Sequence, residues 1–254
     1  FKNRHKGETC YIIGNGASLK SMDLSVFTDH ITIPLNLLCL HNDFKLLNAP
    51  YFVMIAPYFL YPYIKDSYTR KVIKNDVGRA FQKSIMEYPD ITLFTSLSNY
   101  FGFKTVKNVN YVHHFGFEDN DINKCDISSD FSFMKGGLYA AIGLAINLGF
   151  KKAILVGCDY MFTPISDGHF YALGPSIISK NNNNVYKSLI DETKNFIELE
   201  LITDTAESNW IQYQNYENYA DENLYYRENR EIVESEYLDI LNSAYENKQY
   251  LSKI

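Results

Sequence analysis

The stretch from Gly136 to Asp159 constrains the fold more than any other part of the chain. Leu138 to Leu148 (LYAAIGLAINL) is rich in Ala and Leu and apolar on nearly every face, which is the pattern of a buried helix. Gly149 follows as a C-cap, and Lys151 and Lys152 are placed to complement the negative end of the helix dipole. Ala153 to Val156 (AILV) is then a continuous apolar run ending at Gly157-Cys158-Asp159. A strand without polar alternation is buried on both faces, so buried helix, glycine stop and buried strand together are the grammar of a parallel sheet. The expected fold class is α/β: a Rossmann-like, mostly parallel sheet with helices on both faces, plus a C-terminal helical segment.

Other segments fit that frame. Thr9 to Ile13 (TCYII) reads as a buried strand entering a tight turn, and Ser18 to Phe27 carries Leu19, Met22, Leu24 and Phe27 at a spacing that suits a short helix. Ile31 to Leu35, Tyr51 to Ile55, Ile91 to Thr95 and Val109 to His113 are further strands; Pro34 puts the first of these at a strand end or a sheet edge. Pro164 to Asn184 is polar and irregular, with four consecutive asparagines, and reads as a loop or active-site lid. Val185 to Leu199 is expected to be helical, with a strand from Glu200 to Thr203. Ile232, Val233, Tyr237, Leu238, Leu241, Ala244 and Tyr245 mark one face of a terminal helix. The expected division is a nucleotide-binding α/β domain over residues 1–205 and a helical extension or lid over 206–254.

The chain has 254 residues, 46% of them hydrophobic and 21% charged, which suits a globular fold with a sizeable core. Its net charge of −6 argues against a nucleic-acid-binding surface. Cys10, Cys39, Cys125 and Cys158 form no Cys-x-x-Cys pair, so a reducing, cytoplasmic compartment is the expectation. No stretch approaches 18 consecutive apolar residues. The chain begins at Phe1 without Met, which leaves open whether it is cut from a longer protein.

Gly14-Asn15-Gly16-Ala17-Ser18-Leu19 follows the first strand, and in open α/β sheets ligands sit beyond the carboxyl ends of strands. The glycines permit close backbone approach, Asn15 offers both a donor and an acceptor, and Ser18 is placed to cap the next helix. The loop is neither Gly-x-Gly-x-x-Gly nor a Walker A sequence. By itself it also fits a plain strand-to-helix turn.

Ile12 to Lys20 (IIGNGASLK), with Asp23-Leu24 after it, resembles the N-terminal motif of bacterial sialyltransferases that decorate lipooligosaccharides. It is equally similar to the related MptE-like domain of the 6-hydroxymethylpterin pyrophosphokinase-like superfamily, found in surface-polysaccharide gene sets. Both usually carry Pro where this chain has Ala17. A second block, Lys135-Gly136-Gly137-Leu138-Tyr139 continuing to Val156-Gly157-Cys158-Asp159-Tyr160, matches in order and spacing. The resemblance implies a glycosyltransferase of surface-polysaccharide or glycan assembly. It would take a CMP-linked, sialic-acid-like donor, need no cofactor, and work by metal-independent direct displacement. It implies that Gly14, Asn15, Gly16, Ser18, Asn36, Gly136, Gly137 and Asp159 hold the donor. Tyr160 and Tyr171 would hydrogen-bond the departing phosphate. His169, in Asp167-Gly168-His169-Phe170-Tyr171, would be the general base. The sialyltransferases have Ser-Gly where this chain has Gly136-Gly137. The implied partners are a nucleotide-sugar donor and a glycan acceptor, with room for peripheral association at the inner membrane face and for a homo-oligomer. The alternatives are a Mg²⁺-dependent pterin pyrophosphokinase, which needs the metal to neutralise the phosphates, and a non-catalytic domain of the same fold.

Three other groupings point to chemistry less directly. Asp119-Asn120-Asp121 has the form of a metal-binding Asp-x-Asp but lies in an acidic run that reads as solvated. His113 and His114 are adjacent, so their rings diverge on helix or strand. Arg70, Lys71, Lys74 and Arg79 read as one exposed face of a helix.

Overall fold

The computed structural model describes residues 1–65, 71–103, 108–114, 124–174, 176–178 and 184–251, with 184–185 and 244–251 described by backbone alone. Asp119-Asn120-Asp121, Arg70 and Asn181 to Asn183 lie outside the described residues.

Strands β1 (Thr9–Ile13) and β2 (Thr32–Pro34) pair in parallel, Tyr11 opposite Thr32. Strand β3 (Tyr51–Met54) follows, then an antiparallel hairpin of β4 (Tyr63–Lys65) and β5 (Val72–Lys74), helix α1 (Asp76–Ile85), β6 (Thr92–Ser96) and β7 (Val109–Val112). Helix α2 (Gly137–Leu148) and β8 (Lys152–Val156) come next, then a short hairpin of β9 (Ser166–Asp167) and β10 (Ile177–Ile178). Helix α3 (Asn184–Thr193), β11 (Glu198–Thr203) and β12 (Gln212–Asn215) complete the sheet; α4 (Tyr216–Ala220), α5 (Asn229–Ile232) and α6 (Ser235–Leu251) close the chain.

Five strands form a parallel sheet in the order β12-β11-β8-β1-β2, and β3-β6-β7 form a parallel sheet of three. Among the described residues, Leu35 and Asn36 join them. Leu35, just past β2, makes a parallel bridge to Val53; its N–H donates to the Ile13 carbonyl at 3.0 Å and that of Asn36 to the Val53 carbonyl at 2.9 Å. Pro34 ends β2 at the edge of its sheet, as its missing N–H requires.

Successive strand residues point to opposite faces, and the two cores follow that alternation. Tyr11, Ile13, Val156 and Ile202 pack with Leu19, Phe27, Phe81 of α1 and Leu241 of α6 on one face. Cys10, Ile12, Ala153, Leu155 and Leu201 pack with Leu144 and Leu148 of α2 and Leu189 of α3 on the other. The α/β class with helices on both faces and a helical C-terminal segment is therefore the observed fold.

Some boundaries differ from the sequence expectation. Ser18 to Phe27 is two 3-10 turns, Ala17–Ser21 and Leu24–Phe27: Met22 is extended, and the Asp23 carboxylate accepts from the Ser25 N–H at 2.8 Å to start the second. Helix α3 stops at Thr193, whose hydroxyl bonds back to the Leu189 carbonyl at 2.7 Å, and Glu198 and Leu199 belong to β11, where Glu198 pairs with Lys152. Lys152 is thus engaged by Glu198 and Glu200 rather than by the end of α2. Ile232 ends the separate helix α5, and Val233 is extended and bridges His41. Lys74 lies on β5 and Lys71 just before it, while Arg79 is on α1, so these cations do not share one helix. The sheet also continues past residue 205, since β12 pairs in parallel with β11.

Candidate functional site

From β1 the chain steps outward through β2 to β7, then returns to add β8, β11 and β12 on the other side of β1. The boundary between β1 and β8 is therefore a topological switch point, and the loops leaving the two strands diverge there and open a crevice. A cleft of about 520 Å³, counted out to the surrounding solvent, occupies it. Gly14, Asn15 and Gly16 line it from β1, Leu35 and Asn36 from β2, Gly137 and Leu138 from the start of α2, and Gly157 to Tyr160 from β8.

The backbones of the two central loops touch. The Gly14 N–H donates to the Val156 carbonyl and the Gly16 N–H to the Gly157 carbonyl, both at 2.8 Å. A Cβ on Gly14 would overlap the Gly157 carbonyl oxygen, and one on Gly16 would overlap the Asp159 carboxylate. Asn15 is buried; its Nδ2 donates to the Leu35 carbonyl at 3.0 Å, while its Oδ1 has no hydrogen-bond partner. A buried acceptor left open at a cleft wall is a place for a ligand donor. Asn36 adopts a left-handed conformation (φ 51°), and the missing side chain of Gly137 leaves room for its amide against the first turn of α2. Gly136 offers no side-chain cap to that turn, and Gly137 and Leu138 at its start line the cleft, which puts the positive end of the helix dipole at the cleft wall.

Asp159 is buried and accepts from the Ser18 N–H at 2.9 Å and the Ser18 hydroxyl at 2.6 Å. Burial, opposed by these bonds and reinforced by Asp204, pushes its carboxyl up to about 7. The unfolded chain ionises this group near 3.8, so between the two values the native state binds the extra proton. The stability this contributes is fully present below the lower value and lost as pH rises through the upper one. When Asp159 is protonated, the Ser18 hydroxyl can rotate to accept. Asp159→Asn is expected to flatten the fall in melting temperature across that window; an unchanged slope in thermal melts would assign it to other groups.

One segment folds back over the β1 loop. His169 bridges Gly16, and the Phe170 N–H donates to the Asn15 carbonyl at 3.1 Å. The half-buried His169 ring lines the cleft and stacks on Tyr171, with centroids 4.9 Å apart. Lys20, almost wholly buried, donates to the carbonyls of Ala172 and Gly174 at 2.6 and 2.7 Å. Asn229 of α5 donates to the Tyr171 carbonyl at 3.0 Å, and Arg227 pairs with Asp43 at 2.7 Å while donating to the Met22 carbonyl. The C-terminal segment thus braces the loop that carries His169. Tyr160 bonds Asp167 and stacks on Tyr186 at 6.2 Å. Burial, followed by nearby acidic groups, raises the Tyr160 phenol, and burial pushes Tyr186 up to about 12. Both are hydrogen-bond donors at neutral pH.

Gly14, Asn15, Gly16, Asn36, Gly137, Asp159, Tyr160 and His169 all line the cleft, from segments far apart in sequence. Ser18 stands behind it on Asp159, and Tyr171 is buried behind His169. Gly136 precedes α2, with nothing near the position its Cβ would take. Sequence reasoning did not single out Tyr186, Gly168, Leu35 or the buried Lys20; Gly157 and Cys158 lay within the matched block without a role. His114 Nδ1 lies 2.7 Å from Asp130 while the neighbouring His113 carbonyl accepts from the Phe131 N–H, so the adjacent histidines are held separately.

No family model matches the chain, and no curated protein sequence does. Among solved structures, the sialyltransferase CstII from Campylobacter jejuni in complex with the substrate analogue cytidine-5'-monophosphate is similar with a TM-score of 0.44 and 16% identity, over 82% of this chain and 85% of that one. The same enzyme in complex with CMP-3FNeuAc gives a TM-score of 0.48 and 14% identity, over 92% and 99%.

Proposed function

We propose that the protein is a glycosyltransferase that takes a nucleotide-activated sugar, CMP-linked and sialic-acid-like, and passes it to a glycan hydroxyl by direct displacement without a metal. The observation that carries this reading is the convergence of both motif blocks on one cleft: Gly14 to Gly16 and Gly137 to Asp159 meet at the switch point. The open Asn15 Oδ1 suits a donor group of the nucleotide, and the uncapped first turn of α2 suits its phosphate.

In this reading an acceptor hydroxyl oxygen attacks the anomeric carbon as the bond to the CMP phosphate oxygen breaks. His169 takes the hydroxyl proton. Tyr186, joined by Tyr160 once its single O–H turns from Asp167, donates a hydrogen bond to the leaving phosphate as its charge develops, which stabilises the transition state more than the ground state. Ser18 and Asp159 position the loop, and Tyr171 orients His169 from behind.

Calorimetric titration with CMP, UDP, GDP and ATP, each in EDTA and then in Mg²⁺, tests the proposal. CMP binding that survives EDTA is expected. Binding of ATP alone, and only with Mg²⁺, would move the assignment to a pyrophosphokinase; binding of no nucleotide would point to a non-catalytic domain.

A further inference from the structure

The carboxyl edge of the sheet carries more than the cleft. The loop after β3 exposes Tyr58 (62%), the segment after β6 exposes Leu97, Tyr100 and Phe101 (73%), and the β4–β5 hairpin exposes Tyr63 and Val72 (73%). These pieces adjoin one another: the Tyr58 N–H donates to Ser98 Oγ at 3.2 Å, Gly102 packs on the Leu60 backbone, and the Asn75 N–H at the end of the hairpin donates to the Pro62 carbonyl. Exposed apolar residues gathered in one place mark an interaction surface.

The patch is held in shape from beneath. The fully buried Asn99 donates to the Ala56 carbonyl and accepts from the Leu60 N–H, both at 2.9 Å. Asn75 donates to the carbonyls of Phe59 and Tyr61, and Gln82 donates to that of Leu60 at 2.6 Å. Tyr58 itself is left-handed (φ 57°), a conformation that costs a bulky residue energy and persists only where its surroundings enforce it.

Charge selects the occupant. In a chain of net charge −6, the described hairpin residues include three exposed lysines, Lys65, Lys71 and Lys74, and no acidic residue. Asp66 and Arg70, between the two strands of the hairpin, lie outside the described residues and leave its formal charge positive; Asp76, at the start of α1, faces Arg79 at 3.8 Å. A second copy docking by two-fold symmetry would set lysines against lysines, because such an interface repeats one patch on both sides. Aromatic residues beside lysines match the boundary of an anionic bilayer, where the rings enter the headgroup layer and the ammonium groups meet lipid phosphates.

We propose that this edge docks the protein on an anionic lipid surface, with Tyr58, Tyr100, Phe101 and Val72 inserted and Lys65 and Lys74 on the headgroups. Leu173, Ile177 and Ile178, exposed on the segment that carries His169, belong to the same edge. Docking there turns the cleft toward the membrane. The inference stands whether or not the protein transfers sugar.

Flotation of the full chain with vesicles of phosphatidylcholine, with and without phosphatidylglycerol, tests it. The protein is expected to float only with the anionic vesicles. Lys65→Glu with Lys74→Glu should lower the bound fraction roughly tenfold or more, and Phe101→Ser with Val72→Ser should lower it as well. Both variants change exposed residues and should keep the parent circular dichroism and nucleotide titration. Failure of the parent to float, or equal flotation of both variants, overturns the proposal. So does a dimer, seen by sedimentation, that the same substitutions dissolve.

Discussion

His169→Ala is expected to slow transfer by roughly 10²- to 10⁴-fold, the range for loss of a positioned general base, while CMP affinity stays close to that of the parent. The separation follows from geometry. His169 is held by its bridge to Gly16 and by stacking on Tyr171, whereas the proposed nucleotide contacts are those of Asn15, Asn36 and the start of α2, elsewhere on the cleft wall. Initial rates alongside calorimetry distinguish the cases. A parallel loss of rate and affinity would make His169 a binding residue, and an unimpaired rate would place the base elsewhere on the cleft wall. Tyr171→Phe keeps the ring that backs His169 and is the control for orientation.

Gly14→Ala is expected to cost about 2 kcal/mol of stability, near the middle of the range for overpacking, and to abolish nucleotide binding. The added Cβ would meet the Gly157 carbonyl oxygen, with the Gly157 carbonyl carbon at 3.0 Å and Cys158 Sγ at 3.1 Å. Two of these three atoms are backbone, so no side-chain rotation relieves the clash. The loops must separate, and with them the Gly14–Val156 and Gly16–Gly157 hydrogen bonds. For a chain of this size the melting temperature should fall by roughly 4–8 °C, and calorimetry should lose its CMP signal. A variant that melts like the parent and still binds would show that the loops part without cost.

The centre of the fold was legible because its signal is local. AILV and TCYII are apolar without alternation and end in glycine, so burial on both faces and the turn can be read from a few residues. The cleft was legible in part for the same reason: Gly14, Asn15, Gly16 and Asp159 sit at strand ends that the pattern already marks. Where competing local interactions decided the outcome, the reading slipped. Asp23 capping a second turn broke the helix expected after Ser18, and core packing of Leu199 drew the end of a helical pattern into β11. Tyr186 and Lys20 could not be read at all. Tyr186 follows an asparagine tract and reaches the cleft only through tertiary placement of α3. Lys20 is a lysine in a polar stretch, and its burial depends on carbonyls of Ala172 and Gly174 contributed by a distant loop.

The pairing of β1 with β8 has a consequence for how the chain is made. Ser18 and Asp159, at the ends of these neighbouring strands, are 141 residues apart. Translation proceeds at about 5–20 residues per second, so the ribosome needs on the order of 7–30 seconds between the two. During that interval β1 has β2 on one side and an open row of amide and carbonyl groups on the other. Such an open row invites pairing with foreign strands. The nascent protein therefore passes through a long half-built stage with its central strand unguarded, and the cleft between β1 and β8 closes only after more than half the chain has emerged.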